Sequence, residues 1–290
     1  MKKIKFIMLL SVVAILGSCS SDSSSSSSVD EYFNYTIDGQ VISVTNWEAQ
    51  RSENTIAVSG YGTNGMSISF EFNTNGDIGE VDTYSLTDAS IPPRNAQGYY
   101  TNESFTFNLV SVNAANKTVE VTYTGKVYEN EYDLTSPFVN VVGSFLVKYV
   151  DVTPIVPGIG VYAKVAGSDW YSSNSDQTGG FFTGSDITLS SYNGDVYSLD
   201  ITTNHDNSIV GSTNFTPSST TDIVTLSKYN TTTDSFDLYN CTGTLNITTK
   251  TVGIQYTVIS GTFTFTAVDP DTSASITVTN GTFTEAYSNY

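Results

Sequence analysis

The chain is poor in the residues that most often carry chemistry. It has one histidine, His205, and two cysteines, Cys19 and Cys241. A Ser-His-Asp hydrolase would have to use that histidine, yet no Gly-x-Ser-x-Gly elbow occurs. His205 also lies in the polar run Asn204-His205-Asp206-Asn207, which reads as an exposed loop. A zinc site of His and Cys ligands has too few candidates for the same reason. Bases are scarce as well: 11 Lys and Arg face 29 Asp and Glu, for a formal net charge of -18. Nucleic-acid affinity comes mainly from Lys and Arg replacing counterions, so DNA and RNA are not expected partners. The acid surplus suits weak divalent-cation binding or, more simply, solubility outside the cell.

Long apolar runs are missing too. The N-terminal one, residues 6–16, is too short to span a bilayer. It is flanked by Lys2, Lys3 and Lys5 and followed by Gly17 and Ser18, the layout of a secretory signal over residues 1–18. The junction Leu16-Gly17-Ser18-Cys19 resembles the lipobox of bacterial lipoproteins. That resemblance implies lipid attachment at Cys19 and a membrane partner reached through the anchor. Cys241 is then left alone and is expected to be a small buried hydrophobe. Residues 19–31, nearly all serine up to Ser28, read as a flexible tether.

What remains is β-rich. Thr, Ser, Tyr, Phe and Val dominate, and apolar residues alternate with polar ones, as in Ser67-Ile68-Ser69-Phe70-Glu71-Phe72. Asp38-Gly39, Asn64-Gly65 and Asn75-Gly76 are hairpin-turn signals. No substantial helix is expected after the signal peptide. The expected class is all-β, antiparallel, with one wet sheet face. Residues 153–160 hold two prolines and two glycines and read as a linker between a first β-domain, 32–152, and a second, 161–290. Each is sandwich-like or a small barrel.

The two stretches look like copies. Asp38-Gly39 has Ala166-Gly167 as its counterpart, Lys117-Thr118-Val119 has Lys250-Thr251-Val252, Gly125 has Gly261, and Val142-Gly143 has Asn280-Gly281. Apolar positions are even-numbered from Val252 to Val258 and odd-numbered from Ile259 to Phe265, which predicts a bulge near Gly261. A similar slip at Asn280-Gly281 predicts either a bulge or a hairpin turn.

Candidate chemistry is sparse. Glu129-Asn130-Glu131-Tyr132-Asp133 spaces three carboxylates at alternate positions but lacks the glycine and distal glutamate of a calcium loop. It reads as a solvated hairpin tip, as does Asp269-Pro270-Asp271. No metal site, cofactor or catalytic residue is expected. Aromatic rings carry the remaining reading: Trp47 and Trp170, one near the start of each copy, and Tyr99 and Tyr100 in a Pro/Gly loop are candidates for stacking on a glycan. The alternatives are an adhesion or scaffold role toward another envelope protein, and carriage of a lipid or small molecule in a hollow interior.

With its leader, serine tether, early Asp38-Gly39 and closing Asn280-Gly281-Thr282-Phe283, the chain resembles outer-membrane lipoproteins of Gram-negative bacteria that carry a β-rich domain of unknown function. The closing motif of the first copy departs from that pattern, as does the Ala166-Gly167 opening of the second. The resemblance implies an outer-membrane location and a repeated β-domain, and brings no activity with it.

Overall fold

The computed structural model describes residues 30–173, 181–205 and 210–289. The leader, Cys19 and the tether up to residue 29 lie outside the described residues. Among the described residues the chain is all-β, apart from one 3-10 turn at Thr101–Glu103. The expected fold class is therefore observed.

The first lobe runs through β1 (Tyr32–Ile37), β2 (Gln40–Ser52), β3 (Thr55–Gly62), β4 (Met66–Asn73), β5 (Ile78–Ser85), β6 (Arg94–Asn95), β7 (Phe105–Asn113), β8 (Thr118–Tyr128), β9 (Phe138–Lys148) and β10 (Val150–Asp151). All of these but β7 and β10 hydrogen-bond in a closed antiparallel ring of eight strands, with β1 paired to both β2 and β9. Between β5 and β8 the ring is bridged by the two-residue β6, while β7 pairs β8 farther along. The alternation expected from the sequence explains the barrel: Val119, Val121 and Tyr123 of β8 point inward, while Thr122 and Thr124 face solvent. The inside is not hollow. Phe33, Phe70, Phe72, Phe105, Tyr123 and Phe145 fill it, with neighbouring ring centroids between 4.5 and 6.5 Å apart. Apolar residues inside and hydroxyls outside are the reverse of the pattern of a barrel that faces lipid.

The second lobe runs through β11 (Gly160–Val165), β12 (Ser168–Tyr171), β13 (Phe181–Thr183), β14 (Asp186–Tyr192), β15 (Tyr197–Asn204), β16 (Gly211–Phe215), β17 (Ile223–Asn230), β18 (Ser235–Leu238), β19 (Asn240–Val252), β20 (Tyr256–Val268) and β21 (Ser275–Ser288). They form two curled sheets, β12-β11-β21-β20-β19-β16 and β13-β14-β15-β17-β18, around one apolar cluster. That cluster includes Trp170, Leu189, Leu199, Cys241, Phe263 and Phe283, and shares no residue with the core of the first lobe. Cys241, 4% exposed, is a free thiol within it.

Strand order shows how far the repeat extends. The run β2-β1-β9-β8-β7 of the first lobe matches β12-β11-β21-β20-β19 of the second. Asp38 and Gly39 have φ of 46° and 78°, Ala166 and Gly167 have 52° and 84°, so both openings make the same left-handed two-residue turn. Gly143 lies opposite Tyr123, as Gly281 lies opposite Phe263. Two of the four sequence matches are not equivalent by register. Lys117-Thr118-Val119 enters β8, whereas Lys250-Thr251-Val252 ends β19, one strand earlier. Gly125 faces Val141, whereas Gly261 faces Phe283.

At Asn280-Gly281 the slip is a bulge inside a continuous β21, where Asn280 takes φ 54°; it is not a hairpin turn. Near Gly261 the extra residue is Thr248 on the facing strand β19, and odd positions stay buried along the whole of β20. The even-numbered apolar residues misled the periodicity because Val252 and Ile254 stand at an exposed strand tip.

The two lobes belong to one compact unit, Glu31–Tyr290. Several hydrogen bonds join them: Ser173 Oγ donates to the Ile78 carbonyl (3.1 Å), Asn73 Nδ2 to the Ser172 carbonyl (3.3 Å) and Asn102 N–H to the Gly194 carbonyl (2.9 Å). Gly79 permits the approach, since a Cβ there would lie 2.7 Å from the Ser173 carbonyl oxygen. The 153–160 segment is also tied down, with Gly158 N–H donating to the Glu53 carboxylate at 2.8 Å.

Candidate functional site

The loop after β6 leaves the first barrel and runs along the second lobe. Thr101 Oγ1 donates to the Gln97 carbonyl at 2.8 Å, which folds the loop on itself. Gln97 is 3% exposed; its Nε2 donates to Tyr229 Oη (3.2 Å) and to Glu103 Oε2 (3.3 Å). Tyr229 in turn donates its hydroxyl to Asp234. Burial, and then that carboxylate, push the Tyr229 phenol up to about 12, so it stays protonated. The Gln97 amide is thereby held in one orientation, and its Oε1 is buried without a hydrogen-bond partner.

Tyr99, two residues on, is 36% exposed and sits at the centre of a ring cluster. Its centroid is 5.0 Å from Tyr132, 5.1 Å from Phe236 and 6.2 Å from Tyr192. Gly98 makes room for this, because a Cβ there would lie 2.7 Å from the Tyr132 ring. Tyr132 and Glu131 come from the β8–β9 connection, Tyr192 from the end of β14 and Phe236 from β18. Of these, Glu131, Tyr132 and Tyr192 line a cleft of about 260 Å³ between the lobes, together with Glu71 of β4, Gly79, Glu80 and Val81 of β5 and residues 95–98; Tyr99 and Phe236 pack behind Tyr132 and Tyr192 and do not line it.

The cleft is electronegative. Glu71, Glu80 and Glu131 line it, and among the described residues no Lys, Arg or His does. Burial raises the Tyr192 phenol, and Tyr99, Glu80, Glu131 and Asp200 raise it further; burial and Glu131 do the same at Tyr99. Glu131 is positioned by Asn95, whose Nδ2 donates to it. Glu131 is therefore half-buried and turned toward the cleft. Glu129, Asn130 and Tyr132 of the same tip are exposed, as expected, and Glu131 is the residue of the acidic run that turns inward.

The other candidates lie elsewhere. Tyr100 is half-buried against Tyr229, centroids 5.9 Å apart, and helps to join the lobes. Trp170, only 3% exposed, is a core residue of the second lobe, so its ring faces present nothing to a glycan. Trp47 is half-buried against the barrel core, and its indole N–H donates to Glu31 at 3.2 Å. His205 is half-buried with its ring edge-on to Phe182, not an exposed loop residue. No cluster of three or more His, Cys, Asp or Glu suited to a metal occurs among the described residues.

A second cleft of about 220 Å³ lies beside the 153–160 segment and is lined mainly by Asn, Thr and Gly. The sequence marked Tyr99 through its Pro/Gly loop and Glu131 and Tyr132 through the acidic run. Tyr192 carries no local signal, because its strand reaches the cleft only when the lobes dock. The chain matches no protein-family model, no curated protein and no solved structure.

Proposed function

We propose that this is an exported, lipid-anchored envelope protein that binds a small ligand without chemical turnover in the cleft between its lobes. One observation carries the reading: Tyr132 of the first lobe, Tyr192 of the second and the three glutamates Glu71, Glu80 and Glu131 line one partly enclosed space. Concave sites with aromatic walls and a few convergent polar groups are the usual form of a ligand pocket. The aromatic candidates for glycan stacking reduce to Tyr99 and its neighbours, since Trp170 is buried and Trp47 is engaged by Glu31. The packed barrel interior gives carriage inside the lobe no support.

The location rests on the leader and Cys19. In the producing cell, Cys19→Ala is expected to move the protein from the membrane to the soluble fraction; retention in the membrane contradicts lipid anchoring. Binding is tested by a thermal-shift screen of the full-length protein against saccharides, amino acids and amines. A hit should raise the melting temperature of wild type and leave that of Tyr132→Ala unchanged. Equal shifts in both proteins contradict the cleft as the site.

A further inference from the structure

The second cleft, beside the 153–160 segment, differs in kind from the glutamate-lined one, and we propose that it is a separate site for a neutral saccharide residue. Its shape follows from strand register. Tyr171 of β12, Tyr162 of β11 and Thr282 of β21 stand in one row across the outer face of the sheet, and Gly160 and Thr284 form the next row. Gly160 brings no side chain, so a space stays open beside Tyr162 and Thr284. Its φ of 130° favours glycine, and a Cβ there would lie 3.2 Å from Ser172 Oγ. The first lobe supplies the opposite wall with Asn54 and Thr55 from the start of β3 and Asn73 and Asn75 from the end of β4.

Charge, or its lack, is the first ground. In a chain with 29 acids, no Asp, Glu, Lys, Arg or His lines this cleft among the described residues. The nearby carboxylates are engaged outside the lining: Glu53 accepts the Gly158 N–H, Asp77 the Asn73 amide, and Asp169 the Tyr162 hydroxyl. An ionic guest would lose water and gain no counter-charge.

The donor and acceptor set is the second ground. Asn73 is fully committed, its Oδ1 accepting from the Asn75 and Asp77 N–H groups and its Nδ2 donating to Asp77 and the Ser172 carbonyl, so it builds the wall. The Asn54 and Asn75 amides, the Thr55 and Thr282 hydroxyls and the Tyr171 phenol also line the space, with no hydrogen-bond partner among the described residues. Each of these groups can both donate and accept, which matches the hydroxyls of a sugar. The Tyr162 and Tyr171 rings pack on each other, centroids 4.7 Å apart, and so make one aromatic wall with no room for a guest between them. Such a wall suits a ligand with both apolar C–H and polar O–H surface. The volume of about 220 Å³ falls below the roughly 300–1,000 Å³ of pockets that enclose drug-sized ligands, which leaves room for one saccharide residue.

The test is calorimetric titration of the full-length protein, in a detergent without a sugar headgroup, with glucose, galactose, mannose and N-acetylglucosamine and with the charged relatives glucosamine and glucuronate. At least one neutral sugar should bind, and more tightly than either charged relative. Asn54→Ala and Asn75→Ala, both at exposed positions, should keep the wild-type melting temperature. At least one of them should weaken sugar binding by about five-fold, the loss of one hydrogen bond. Tyr132→Ala, which alters only the other cleft, should bind the sugars as wild type does. Glucosamine or glucuronate binding as tightly as the neutral sugars overturns the ligand class. Binding unchanged in both asparagine variants overturns the site, and its loss in Tyr132→Ala would place the sugar in the other cleft. Failure of all four neutral sugars overturns the proposal outright, whatever the other cleft binds.

Discussion

The two lobes begin and end alike and differ in the middle. Both open on a left-handed two-residue turn and close on a strand that pairs with the first. In the first lobe β2 is 13 residues long and pairs both β1 and β3, which closes the ring. Its counterpart β12 has four residues, and the second lobe is divided into two sheets around a shared core. One long strand thus separates a barrel from a pair of curled sheets. The cleft lies outside the shared strands: β4, β5, β6 and β14 line it, with the connections after β6 and β8.

The largest expected effect lies in the paired core phenylalanines. Phe145 is fully buried and touches Phe33 at 5.0 Å and Phe70 at 5.5 Å within a closed ring that resists collapse. Phe145→Ala should cost about 4 kcal/mol, and the matching Phe283→Ala about 3 kcal/mol, because the divided second lobe can relax into the space. Urea unfolding measures both. A larger cost at Phe283 would contradict the rigidity assigned to the barrel.

Next in size is Glu285. Two residues past Phe283, it stands where the first lobe has the buried Val147 beyond Phe145. It is 2% exposed, and burial pushes its carboxyl from 4.5 up to about 8, opposed only by the Ser191 hydroxyl donating at 3.2 Å. Its Oε2 has no partner. The folded state therefore holds a proton that the unfolded chain gives up. Below about pH 4.5 both states are protonated and there is no penalty; stability is lost as pH rises to about 8 and is level beyond. Glu285→Gln, which keeps an acceptor for Ser191, should stabilise by about 3 kcal/mol at pH 7 and by nothing at pH 4. Melting temperatures of both proteins across that range check it; a gain independent of pH contradicts the account.

The smallest effect concerns the opening turns. Ala166 holds φ 52° in a position where the first lobe has Asp38, and alanine tolerates that conformation less well than Asp, Asn or Gly. Ala166→Asn should stabilise by about 0.5–1 kcal/mol, read as a rise in the urea midpoint at constant slope. No rise would mean that the turn is unstrained.

Much of the fold was legible because its signals are local. Asp38-Gly39 predicts its turn from two residues, and the shift from Val278 to Phe283 marks an irregularity at Asn280-Gly281 from one strand, a bulge in the structure where a hairpin turn was the alternative. Where a signal needed tertiary context it misled. Val252 and Ile254 counted as core although they are exposed, and Lys250-Thr251-Val252 mimicked Lys117-Thr118-Val119 in a composition where Thr and Val recur. The site was less legible than the fold for the same reason. Tyr99 stood out in its loop, but Glu131 read as solvated until Asn95 and the second lobe were placed around it. Trp170 attracted notice as a rare residue, and rarity says nothing about which way a side chain points.

The central claim is that docking of the lobes creates one ligand site, and amide chemical-shift mapping during titration with the saccharide, amino acid or amine that gives the largest thermal shift tests it most directly. The account predicts that Gln97, Glu131 and Tyr132 of the first lobe shift together with Tyr192 of the second, along one saturation curve. Shifts confined to one lobe, or saturating at different concentrations in the two, would contradict it.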